Sequence, residues 1–137
     1  MSAVAIAFFA LAIAADFQRP RLAEVVRSGD AARALRMLEE GADPNQRDLK
    51  GVTPLMWAAA LGQIDVAGRL LDRGAALNAE TGGGKSGPAD TALTFAAANG
   101  NTAMVDFLLS RGAVPERSVD WRPLPDPYRD KLSKIGG

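Results

Sequence analysis

At 137 residues the chain has room for one domain, and 47% hydrophobic against 23% charged residues is enough apolar material for a core rather than a disordered tail. Sixteen Lys plus Arg offset sixteen Asp plus Glu without any basic block, so the phosphate neutralisation that drives nucleic-acid binding has no footing here. The chain has no Cys and no His, which excludes zinc centres, thiol nucleophiles, disulfides and catalysis by imidazole.

Residues 3–15, AVAIAFFALAIAA, are uncharged and apolar without helical alternation, and Asp16 ends the run. The run is shorter than the roughly 20 residues that span a bilayer. It suits the apolar region of a secretory signal, and Ala12-Ile13-Ala14 supplies a small-x-small cleavage pattern. Residues 1–14 are therefore read as a signal peptide, which predicts a periplasmic or secreted protein. Met1-Ser2 brings no Lys or Arg to the start, so two further readings stand beside it. One is a membrane anchor through residues 3–17 facing the periplasm, and the other is an apolar N-terminal cap on the fold.

The remainder repeats. Gly51–Gly62, GVTPLMWAAALG, aligns with Ala89–Gly100, ADTALTFAAANG; in each, Thr is followed nine positions later by Gly and 21 positions later by Gly-Ala, as Gly74-Ala75 and Gly112-Ala113. Projection backward by 33 residues places Pro20 at the Thr position, Gly29 at the first Gly and Gly41-Ala42 at the second. Three units follow, over about 16–47, 48–85 and 86–116. In each, Thr or Pro starts a short helix rich in small residues, since Thr caps free N–H groups and Pro presets φ. Gly29, Gly62 and Gly100 are expected to carry left-handed turns into second helices. Those helices bury Leu35 and Leu38, then Ile64, Val66, Leu70 and Leu71, then Met104, Val105, Phe107, Leu108 and Leu109. Gly68, within the second helix of the middle unit, is explained only by close packing.

The elements Thr53-Pro54-Leu55, Ala58-Ala59, Gly62, Leu70-Leu71 and Gly74-Ala75, with Gly41-Ala42-Asp43-Pro44-Asn45, resemble the ankyrin repeat family over about residues 16–116. The resemblance implies an all-α fold, an ankyrin-repeat solenoid of helix-turn-helix units joined by hairpin-like loop fingers. Departures from the family pattern are Met56 and Thr94 in place of His, Ala92 in place of Pro and Glu116 in place of Asn.

Between units two and three lies AETGGGKSGPAD, whose Gly84-Lys85-Ser86 resembles a phosphate loop. A working phosphate loop needs a buried strand before it and a helix starting at Lys-Ser, whereas Gly87-Pro88 discourages a helix there. No nucleotide or other cofactor is expected. Asn45 stands 8 residues before Thr53 and Asn78 stands 13 before Thr91, so the stretch is a five-residue insertion that lengthens one finger. Such lengthening adds only about 0.4 kcal/mol of loop-closure cost. After Ala113 the repeat dissolves; residues 117–137 are read as a C-terminal cap with Trp121 as its plug, or as a tail that binds a partner.

By its resemblance the chain binds proteins through the groove lined by fingers and first helices. The positions carried over are Leu49, Lys50 and Val52 on the first finger, Arg27, Ser28, Ala60, Leu61, Ala98 and Asn99 on the first helices, Lys85 on the long finger, and Arg73 and Arg111 near the ends of second helices. Leu49, Val52 and Leu61 are expected to be exposed and rimmed by Lys50 and Arg73. Trp57, which aligns with Phe95, is expected to fill the core rather than act as a binding hot spot. No pair of carboxylates is forced together, so no catalytic residue is assigned. The expected function is that of a non-enzymatic, exported module that binds one protein partner, or an N-terminally anchored accessory subunit of a membrane complex.

Overall fold

The computed structural model describes residues 20–81, 90–115, 122–126, 129, 130 and 134. The proposed signal segment, Lys85, Glu116 and Trp121 lie outside the described residues. Three helix pairs follow in order: α1 (Leu22–Arg27) and α2 (Ala31–Glu39), α3 (Pro54–Leu61) and α4 (Ile64–Asp72), α5 (Ala92–Ala98) and α6 (Thr102–Ser110). No strand occurs among the described residues, and no helix there is long and apolar enough to cross a membrane.

The caps explain where the first helices begin. Thr53 Oγ1 accepts from the N–H of Met56 at 3.2 Å, and Thr91 Oγ1 accepts from that of Thr94 at 3.4 Å. The return bonds use the two residues that depart from the family pattern, since the Thr53 N–H reaches Met56 Sδ at 3.5 Å and the Thr91 N–H reaches Thr94 Oγ1 at 2.8 Å. Both units thus close a reciprocal capping box with unusual partners. Unit one differs. The Pro20 side chain has no acceptor to offer and stands outside the helix, whose N-cap is Arg21. There Glu24 alone reaches back, its Oε2 accepting the Arg21 N–H at 3.2 Å.

The helices turn on glycines. Gly62 and Gly100 have φ of 70° and 68°, a region costly to residues with a Cβ. The positive φ and not crowding makes the demand, because a Cβ on Gly62 would meet the Asn101 side chain at 3.5 Å and one on Gly100 the Pro123 carbonyl oxygen at 3.4 Å, both ordinary contacts.

First helices stack on one another, α1 on α3 and α3 on α5, and α2 stacks on α4. Ala58, Ala59, Ala96 and Ala97 are fully buried, so the helix surfaces between units are small enough for close approach. Leu22, Val26, Leu55, Met56, Leu70, Leu93, Met104 and Leu108 fill the core. Burying each is worth about 1.5–3 kcal/mol, and because the faces are shared between neighbouring units no unit could collect this alone. Ile64 departs from the expected pattern: it opens α4 and is 36% exposed. Leu124 is also buried against the stack, beyond the third unit.

Polar links fix the register between units. Asn45 donates from Nδ2 to the Gly74 carbonyl at 3.2 Å and accepts the Ala76 N–H at 2.8 Å, while Asn78 accepts the Val114 N–H at 3.1 Å. Asn101 donates to the carbonyls of Ala59 and Ala60. Ion pairs Glu39–Arg69 at 3.7 Å and Asp72–Arg111 at 3.1 Å join successive second helices; being exposed, each contributes at most about 1 kcal/mol. Gly68 is not demanded by crowding, since a Cβ there would meet Phe107 at 3.7 Å, an ordinary contact.

Candidate protein-binding face

The first finger is closed at its base by Asp48. Its N–H donates to the Val52 carbonyl at 3.0 Å, and its Oδ1 accepts the N–H groups of Lys50 at 2.9 Å and Val52 at 3.0 Å. Its Oδ2 accepts the indole N–H of Trp57 at 2.9 Å. Burial raises the Asp48 pKa and is the largest single influence. The bonds from Trp57, Val52 and Lys50, with the nearby Arg27 charge, outweigh it and hold the carboxyl below its ordinary value.

The second finger repeats this neck with one change. Thr81 N–H donates to the Asp90 carbonyl at 2.8 Å, and Thr81 Oγ1 accepts the Asp90 N–H at 3.0 Å. In the repeat register Thr81 is the counterpart of Asp48 and Asp90 that of Val52. The five additional residues therefore fall in the sequence between these two positions, within 82–89. The side chains match what lies beneath them. Trp57 needs an acceptor and stands by a carboxylate, whereas Phe95, its counterpart, needs none and follows a finger based on a hydroxyl.

Trp57 and Phe95 carry an aromatic surface across units two and three, with ring centroids 6.2 Å apart and planes tilted by 48°. Both are only partly buried, so Trp57 neither disappears into the core nor stands free. The Arg27 guanidinium lies 5.4 Å from the Trp57 ring centroid, bringing unit one to the same patch.

The expected binding residues divide into two groups. Leu49, at the finger tip, is 83% exposed, and Leu61, at the end of α3, is 48% exposed one helical turn beyond Trp57. With exposed Arg27 and Lys50 they surround Asp48 and Trp57. Val52 does not belong there: it is buried, 8% exposed, and joins the hydrophobic core. It occupies the position just before the Thr53 cap, where an apolar side chain folds back on the helix start. Asn99 is exposed at the end of α5, with its Nδ2 donating to the Phe95 carbonyl of its own helix at 2.8 Å. Arg73 and Arg111 belong to the second-helix layer, as the exposed C-cap of α4 and the partner of Asp72 respectively. Arg73 therefore forms no rim around the Leu49 patch.

Sequence reasoning passed over Arg47, whose Nη1 donates to the carbonyls of Gly51 at 2.7 Å and Glu80 at 2.8 Å, tying the first finger to the second. It also missed the Asp48–Trp57 bond, which only the matched Asp/Trp and Thr/Phe choices in the two units could have signalled. An open cleft of about 630 Å³ lies elsewhere, lined among others by Pro20, Arg33, Arg36, Met37, Glu40 and Asp43; none of the expected binding residues lines it. Among the described residues no cluster of carboxylates could hold a metal.

A family model described as "Ankyrin repeats (3 copies)" matches residues 22–119. Similar curated proteins include the ankyrin repeat and KH domain-containing protein mask of Drosophila melanogaster, 44% identical over 80 residues, 58% of this chain and 2% of that protein. The E3 ubiquitin-protein ligase Ufd4 of the same organism is 32% identical over 119 residues, 85% of this chain and 4% of that protein. Its palmitoyltransferase Hip14 is 31% identical over 100 residues, 73% of this chain and 15% of that protein. The chain thus spans a small part of each of these relatives, and what it shares with proteins of such different description is the repeat itself. With the profile covering most of its length and the caps, glycine turns and stacked helices in place, the chain belongs to the ankyrin repeat family.

Proposed function

We propose that this chain is a non-enzymatic module that binds one protein partner through the concave face of its first helices and fingers, the long second finger included. The observation that carries the reading is the placement of Leu49 and Leu61, large apolar side chains left exposed beside the half-buried Trp57–Phe95 surface. Apolar side chains clustered around an aromatic anchor and edged by cations have the composition of a protein-binding hot spot. Ankyrin repeats are, as a family, protein-interaction modules, which supports the same conclusion. The setting we propose is outside the cytoplasm, supported by the apolar run 3–15 and its Ala12-Ile13-Ala14 sequence. Retention of that run as an anchor would make the chain an accessory subunit of a membrane complex.

The test is Leu49→Glu with Leu61→Glu in the full chain, measured by affinity capture from native cell envelope and by circular dichroism. Loss of the captured partner with helicity unchanged is expected. Capture unaffected by the double change would refute the assignment of this face. Carbonate extraction separates the two settings, because an exported peripheral protein washes off and an anchored subunit stays.

A further inference from the structure

Around Trp57 the accessible charge is decided by which groups are already engaged. Asp48 is buried, and N–H groups of Lys50, Val52 and Trp57 occupy its two oxygens. Arg27 and Lys50 are exposed, and among the described residues neither forms an ion pair. Stacking over Trp57 orients the Arg27 guanidinium, and among the described residues its N–H groups make no hydrogen bond. The exposed carboxylates of the finger layer, Glu80 and Asp90, stand one finger further along. Cations therefore gather at unit one and the first finger, from which Arg47 reaches as far as the Glu80 carbonyl, and the exposed carboxylates Glu80 and Asp90 lie at the second.

Taking this face as the partner-binding surface, we infer that the partner presents a segment with an acidic residue beside a large apolar one. The carboxylate pairs with Arg27 and Lys50, and the apolar side chain covers Leu49, Leu61 and the open edge of Trp57. A guanidinium already held in place suits the forked geometry of a carboxylate. A basic segment in the same position would meet like charge, and a purely apolar one would desolvate Arg27 without a partner.

The test is selection of a phage-displayed random-peptide library on the immobilised full chain, followed by fluorescence-polarisation titration of the recovered peptides. Enrichment of Asp or Glu next to Leu, Ile, Phe or Trp is expected. Binding should weaken by about tenfold or more in Arg27→Gln or Lys50→Glu, and as salt rises from about 50 to about 500 mM. Lys50→Glu is wholly on the surface, so it keeps the test valid if Arg27→Gln disturbs the Trp57 stack. Peptides without acidic enrichment that are still lost in Leu49→Glu/Leu61→Glu overturn the acidic chemistry and leave the face standing. Peptides indifferent to Leu49→Glu/Leu61→Glu, or a selection that recovers none, overturn the use of this face and the inference with it.

Discussion

The matched choice of Asp48 with Trp57 and Thr81 with Phe95 can be exchanged between units. Asp48→Thr alone should keep a hydroxyl acceptor for the Val52 N–H, as Thr81 does for Asp90. It deprives the indole of its 2.9 Å carboxylate partner, and hydrogen bonds to charged groups are worth about 1.5–3 kcal/mol, so a loss of about 2 kcal/mol is expected. Trp57→Phe alone should cost about 2 kcal/mol, from the smaller ring and the Asp48 oxygen left without its donor. The double variant rebuilds the arrangement of the third unit and no longer counts the lost bond twice. Its total should fall short of the sum of the single losses by about 1 kcal/mol or more. Urea denaturation followed by circular dichroism at 222 nm gives all four stabilities without relying on tryptophan emission. Additivity within about 0.3–0.5 kcal/mol would show that the indole–carboxylate bond does not couple the finger to the helix.

Two further outcomes are expected. Gly68→Ala should stabilise the fold by about 0.5–1 kcal/mol, because the helix interior disfavours glycine and the new methyl meets Phe107 at an ordinary distance; a fall in the urea midpoint would refute this. Stability should also depend on acid through Asp48. Its folded pKa is depressed, so its contribution is present above the ordinary carboxylate pKa of about 3.9 and is lost as pH falls through the lower folded value. Asp48→Asn should flatten that acid limb in pH-dependent urea titrations, and an unchanged limb would mean that other carboxylates carry it.

Much of the fold was legible because repeats state the same requirement more than once. Thr53 and Thr91 cap where their alignment placed them, and Gly62 and Gly100 adopt the left-handed turn. Pro20 misled, since a register of spacings does not record whether a side chain can accept a hydrogen bond; Gln46 Oε1 takes the Leu22 N–H instead, and Glu24 takes that of Arg21. The candidate face was half legible. Leu49 and Leu61 were correctly left exposed, but Val52 turns inward, because a residue between the finger and the cap obeys the helix start rather than the finger. Arg73 and Arg111 lie at similar places in their units, yet Arg111 is committed to Asp72 of its neighbour, a contact between units that no single-repeat pattern contains.

Two hydrogen bonds between Thr81 and Asp90 close the base of the second finger immediately before the cap of α5. Thr91, next to that rung, caps α5 as Thr53 caps α3, so the five extra residues in the sequence leave the third unit starting in the same way as the second. The same rung offers a point of exchange. A foreign loop spliced between Thr81 and Asp90 should leave the Thr91 cap and the pitch of the repeats unchanged, and recognition could diversify there while folding stays constant.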